Sequence, residues 1–242
     1  MGFVNDFYSD FSLDYWNSRL DYELERLIND GDALTTSTII GAYSSYLQLA
    51  EIVFHHIYLI SKVKEGDDAF KKAIFISNTE LRKWLVESLD ADLLLFFIES
   101  LVFSINPKPN NYNKKLNGYV RALKESKDNY LKYHNVLNAF KHGFRIRADK
   151  GGTLSINGYR ILEAEAEINY LTIKDKVICN NRFEFSIRRT MAKAHFLLST
   201  IENARLAVLT KAGDVVNRDY YFIDDEDIWN STFGSYHFTE PL

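Results

Sequence analysis

His134, Asn138, Lys141 and His142 are the side chains of this sequence best suited to hold or move a proton beside a phosphate. At about 100° per residue they fall within roughly one third of a helix circumference. Tyr133, Leu137, Phe140 and Phe144 form the adjoining apolar arc. An imidazole exchanges protons near neutral pH, an amide can orient it, and an ammonium attracts anions. Arg145 and Arg147 follow and extend the same chemistry to holding phosphate. The surrounding stretch, residues 108–160, carries 12 Lys/Arg against 3 Asp/Glu, or +9 in a chain whose formal total is −4. Residues 1–107 sum to −9 and residues 161–242 to −4. A basic segment with interleaved aromatics suits a phosphate-bearing ligand. Lys141 and His142 also have a plain structural use, since cations in a last helical turn complement the dipole and Gly143 suits the left-handed residue beyond it. That use accounts for neither Asn138 nor His134, one and two turns earlier.

The elements that must position these residues are mostly helical. Trp16, Leu20, Leu24 and Ile28 predict a helix over 12–29, stopped by Asn29-Asp30-Gly31-Asp32. A long apolar helix is expected over 35–63, then shorter ones over 67–76 and 78–88. Asp90 is the expected cap of a helix over 91–105, which Ser104 to Pro109 ends. Residues 110–126 read as an Asn/Lys-rich loop turning helical, and 127–142 as a clear helix. The period then changes to two. Phe144–Arg147 and Thr153–Ile156 alternate around a turn at Lys150-Gly151-Gly152, and Asn157-Gly158 signals a hairpin into Tyr159–Leu162. A further hairpin around Lys174-Asp175 joins Glu167–Ile173 to Lys176–Phe185. Helix returns over 186–212. The expected fold is therefore mainly α: one domain, 1–242, made of a multi-helix bundle (1–143), a small antiparallel β insertion (about 144–185), a last long helix (186–212) and an acidic-aromatic tail (213–242).

Composition narrows the function classes. With 46% hydrophobic and 14% aromatic residues, the 242-residue chain can bury a sizeable core. Its single cysteine, Cys179, gives no intramolecular disulfide and no cysteine-based zinc site, and fits a reducing compartment. The N-terminus lacks a signal pattern. The longest apolar run, Thr38–Ile60, contains Gln48, Glu51, His55 and His56, groups poorly tolerated in a membrane span. A cytoplasmic protein without a membrane partner is the expectation. Glu51, His55 and Glu99 read as a buried hydrogen-bonded network or as groups simply exposed at a helix edge, and Asp224–Asp227 as a solvated loop. No phosphate loop, zinc-binding helix or nucleophile elbow occurs, so neither a cofactor nor a metal is expected.

Asn138-Ala139-Phe140-Lys141-His142, near the end of a helix in a mostly helical protein, resembles the signature of HEPN domains. The resemblance implies a four- or five-helix bundle, often a metal-independent ribonuclease of bacterial defence or toxin systems, whose Arg and His act across a dimer interface on RNA. It implies His142 as general acid/base, Asn138 as its orienting partner, and His134, Lys141, Arg145 and Arg147 as phosphate holders. Leu137 stands where the family has Arg, which argues against cleavage, because the transition-state charge loses its natural stabiliser. Arg189 and His195, with five residues between them, repeat the spacing with the Arg intact and form a second candidate pair. The partners implied are RNA and a second copy of the chain.

A different class fits the same charge pattern. The basic 108–160 segment could instead dock on an acidic protein surface, the chain acting as a non-enzymatic interaction subunit. The sequence pI of about 5.9 favours this alternative. A positive groove lined by Tyr112, Tyr119 and Tyr130 would support the RNA reading, and neutralisation by acidic neighbours the other.

Overall fold

A computed structural model describes residues 2–31, 34–99, 112–142, 146–151, 153–156, 159–163, 165–209 and 238–241. Its elements are helices α1 (Gly2–Asp10), α2 (Asp14–Asp30), α3 (Thr36–Lys62), α4 (Asp67–Ile74), α5 (Asn78–Glu87), α6 (Ala91–Phe97), α7 (Tyr112–His142) and α8 (Ile187–Leu209). Strands are β1 (Ile146–Lys150), β2 (Thr153–Ile156), β3 (Tyr159–Glu163), β4 (Ala166–Lys174), β5 (Val177–Phe185) and β6 (Phe238–Pro241). The protein is mainly α, with the small antiparallel insertion before the last long helix, as the pattern of periods predicts. Among the described residues no helix is long and apolar enough to cross a membrane.

The chain forms two compact units, and α3, α7 and α8 each contribute residues to both. The first unit comprises residues 1–16, 49–131 and 196–224. Its helices end where the side chains dictate. Ser77 and Glu80 close a capping box at α5, and the Asp90 carboxylate accepts the Leu93 N–H at 2.8 Å to start α6. The 91–105 helix of the sequence expectation is regular only to Phe97; Ser100–Asn111 lie outside the described residues. Unexpected in the sequence reading is α1. Its Val4 and Tyr8, one turn apart, are buried with Leu59, Phe70 and Ala73. Phe7 meets Tyr8 and Phe70 edge-on at 5.1 and 5.5 Å between ring centroids.

The second unit comprises residues 17–48, 132–195 and 225–242. Its sheet runs β1-β4-β5-β6, all antiparallel, while β2 and β3 pair only with each other. The turn at Lys150-Gly151-Gly152 therefore does not fold β1 onto β2. It launches a separate hairpin, and β1 takes β4 as its partner, with Ala148 opposite Ile168. Side-chain alternation divides the sheet cleanly. Ala148, Ile168, Tyr170, Phe183 and Phe185 are buried on one face. Tyr43 of α3 and Tyr133 of α7 pack there, with ring centroids 4.9 and 4.8 Å from Phe183. Thr36 at the start of α3 donates to the Ala148 carbonyl at 2.9 Å and ties the helix to β1.

Candidate functional site

Helix α7 runs unbroken for 31 residues, so the segment expected to turn helical within 110–126 is helical from Tyr112 onward and continuous with the helix expected over 127–142. Its buried side explains why. Leu116, Tyr119, Leu123, Ser126, Tyr130, Tyr133 and Leu137 recur every three or four residues and are all shielded from solvent. Tyr119 and Tyr130 are thus core residues and do not line a groove. The Tyr119 hydroxyl lies 3.0 Å from that of Thr200, and Tyr130 donates to Glu51 at 3.2 Å. Tyr112 is half-buried and donates to Glu99. Burial and the Glu51 carboxylate hold the Tyr130 phenol well above its ordinary range. Glu51 also accepts from Asn78 at 3.1 Å, while His55 Nε2 lies 3.2 Å from the Ala73 carbonyl. Glu51, His55 and Glu99 thus have separate partners and do not form one network, and Glu99 is exposed. Among the described residues, no three His, Cys, Asp or Glu side chains converge to hold a metal.

The opposite side of α7 is a solvent-facing stripe. Lys114, Asn117, Arg121 and Lys124 are exposed at helical spacing, with Asn138 in the helix's last turns also exposed. Among the described residues, Lys114, Arg121 and Lys124 form no ion pair. His134 is half-buried, and Leu137, at the family's Arg position, is only 5% exposed. Lys141 and His142 are the last backbone positions of α7; their side chains lie outside the described residues, as do Gly143, Phe144 and Arg145 altogether. Arg147 is on β1, 77% exposed, and its Nε meets Asp149 at 2.7 Å on the same strand. Arg182, on β5, lies 2.6 Å from both Glu167 and Glu184. Those two carboxylates face each other in the register, and the guanidinium relieves a pairing of like charges.

Arg189 and His195 sit on α8 but do not converge. Six residues apart, they are about 9 Å apart along the axis and 120° apart around it. Arg189 is exposed in the first turn, where its N–H donates to Ser186 Oγ at 3.4 Å. His195 is half-buried, and burial lowers its pKa against a weaker opposing pull from Asp21.

The structure also assembles a cluster that the sequence reading passed over. Glu23, on α2, has no solvent exposure, yet it is a carboxylate. Its Oε1 lies 2.8 Å from Arg19 and its Oε2 3.4 Å from Arg26, one turn to either side. It lies directly against the backbone of α3 at Gly41, where a Cβ would land on the carboxylate itself. Each arginine is held a second time: Arg19 donates to Ser45 at 3.3 Å and Arg26 to Ser37. The Arg26 guanidinium stands 5.4 Å above the Tyr22 ring. Burial pushes the Glu23 carboxyl above its ordinary pKa, and the two guanidiniums oppose that shift. Arg19, Tyr22, Glu23, Arg26, Ser37 and Gly41 line a shallow open groove of about 820 Å³. The available signals were two arginines flanking a glutamate on an otherwise acidic helix, and one glycine inside a long apolar helix. Neither signal indicates that the two helices meet there. Comparison with protein-family models, curated proteins and solved structures found no match.

Proposed function

We propose that the protein engages RNA through α7 and the residues that follow it, as a HEPN-like binder in which cleavage is lost. The exposed stripe of Lys114, Arg121 and Lys124 carries this reading, because none of the three forms an ion pair among the described residues, although Asp128 is exposed on the same face. Cations left open to solvent on one helix face are the electrostatic footprint of phosphate binding. His134, Asn138, Lys141, His142, Arg145 and Arg147 extend the binding stretch. Leu137 separates binding from catalysis, since a buried aliphatic side chain cannot stabilise the charge that an arginine would. Defence or toxin context and a homodimer follow from the family resemblance.

Fluorescence anisotropy with a labelled single-stranded RNA tests this. The triple variant Lys114→Ala, Arg121→Ala, Lys124→Ala should reduce the slope of log K against log salt by about 2, at roughly 0.7 per lost phosphate contact. Wild-type protein that fails to bind RNA even at low salt sinks the proposal. Wild-type cleavage that His142→Ala removes would restore the ribonuclease version, and cleavage that His195→Ala removes would shift the site to α8. A second reading rests on the sheet, where Arg147 and Arg182 are neutralised by acids of their own sheet. It makes the chain an interaction subunit that docks an acidic protein through the 108–160 segment.

A further inference from the structure

We infer that the groove between α2 and the start of α3 is a binding site for a phosphate monoester, separate from the α7 stripe. Two guanidiniums bracket one carboxylate there: Arg26 donates to Glu23 and to Ser37, while Arg19 donates to Ser45 and lies at ion-pair distance from Glu23. The side chains of Arg19 and Arg26 nevertheless remain 36% and 24% exposed, so N–H groups of both stay open to the groove. Arginines whose rotamers are already locked lose little entropy on meeting an anion, and their planar forks match phosphate oxygens in pairs. Of the hydroxyls lining the groove, Thr36 and Ser44 already donate to the Ala148 and Gly41 carbonyls, which leaves those of Thr35 and Ser37 beside the arginines. Its volume of about 820 Å³ lies within the range of small-molecule sites, roughly 300–1,000 Å³.

The way the cluster is built supports a binding role over a packing one. A glycine inside a helix lowers stability by about 1 kcal/mol relative to alanine, and the missing Cβ at Gly41 leaves the room in which the Glu23 carboxylate lies against the backbone. A helix pair held by packing alone would place an aliphatic side chain at 23 and alanine at 41. Glu23 here orients the two arginines, and Asp30, held by Thr35 and Thr38, is a second carboxylate within reach of the Arg26 charge.

The test is ³¹P NMR of phenyl phosphate, with sodium chloride holding ionic strength constant. The wild type should broaden the phosphorus line saturably at about 10 mM, tenfold above a 1 mM Kd. Arg26→Ala should weaken binding at least tenfold, and Arg26→Lys should also weaken it although it keeps the charge. Glu23→Gln, which keeps the shape but removes the negative charge, should tighten binding several-fold. Opposite signs at positions 26 and 23 are what an anion site requires, and lost packing would move both variants the same way. The α7 triple variant should bind phenyl phosphate like wild type, so failure here and failure of the RNA proposal are separable. No saturable broadening by wild type, or binding that Arg26→Ala leaves unchanged, overturns the inference.

Discussion

His56 is the buried titratable residue with the clearest consequence. It is 5% exposed, with Tyr8 OH 3.3 Å from its Nδ1 and Phe11 edge-on at 4.7 Å between ring centroids. Burial, with a smaller push from His55, lowers its pKa to about 3 from the usual 6.5. The unfolded imidazole therefore takes up its proton near pH 6.5 and the folded one only near 3. Between those values protonation favours the unfolded state, so stability is full above about pH 6.5 and declines as pH falls. Denaturant titrations from pH 7 to pH 4 should show His56 contributing a slope of about 1.4 kcal/mol per pH unit, and His56→Gln should flatten it. An unchanged slope in the variant would place the acid sensitivity elsewhere. The chemistry of single residues was legible in the sequence, but their burial was not. His56 read there as a polar interruption of an apolar helix and Glu23 drew no reading, because it takes Tyr8 in one case and Gly41 in the other to show that they are buried.

At the scale of elements, local signals were read well and non-local ones poorly. The helices α2 to α5 lie within two residues of their predicted bounds, since their caps and breakers act within a turn or two. The β4–β5 hairpin was also legible, although its turn is centred on Asp175-Lys176, with φ of 51° and 66°. Both residues occupy the left-handed region that a two-residue hairpin of this type demands, and Lys is a poor occupant. Lys176→Gly should raise stability by about 0.5–1 kcal/mol, the relief of left-handed strain less the added chain entropy of glycine. Thermal unfolding should rise by about 2 °C; a fall would mean that the Lys176 side chain stabilises the turn more than its backbone strains it. The pairing of β1 with β4 rather than β2 and the continuity of α7 from Tyr112 through the 127–142 helix were not legible. Each is decided by a surface supplied from distant sequence.

For the molecule as a whole, the end of the described chain returns to the sheet. Strand β6 pairs with β5, placing Asn181 opposite Thr239 and Arg182 opposite Phe238. Of the acidic-aromatic tail, this strand is the part that the structure describes; Tyr220, Tyr221, Phe222, Trp229 and Asp224–Asp227 lie outside the described residues. An open sheet edge offers unpaired N–H and C=O groups to any other strand. Removing residues 238–242 should accelerate hydrogen exchange at the β5 amides between Cys179 and Arg182 that face β6, and leave the α7 amides unchanged. Equal protection in both forms would show that β6 does not cover that edge. The truncated protein should also aggregate sooner at high concentration.

The contact between Glu23 and Gly41 constrains descent as well as structure. A methyl group at position 41 would occupy the space of the carboxylate, so a Cβ gained there would push the end of Glu23 aside and cost its hold on the two arginines. Among relatives of this chain, residues larger than glycine at 41 should occur mainly beside side chains other than glutamate at 23, and the two sites should tend to change together. Lineages that keep the pair keep Arg19 and Arg26 oriented, and those that lose it should be released from conserving both arginines.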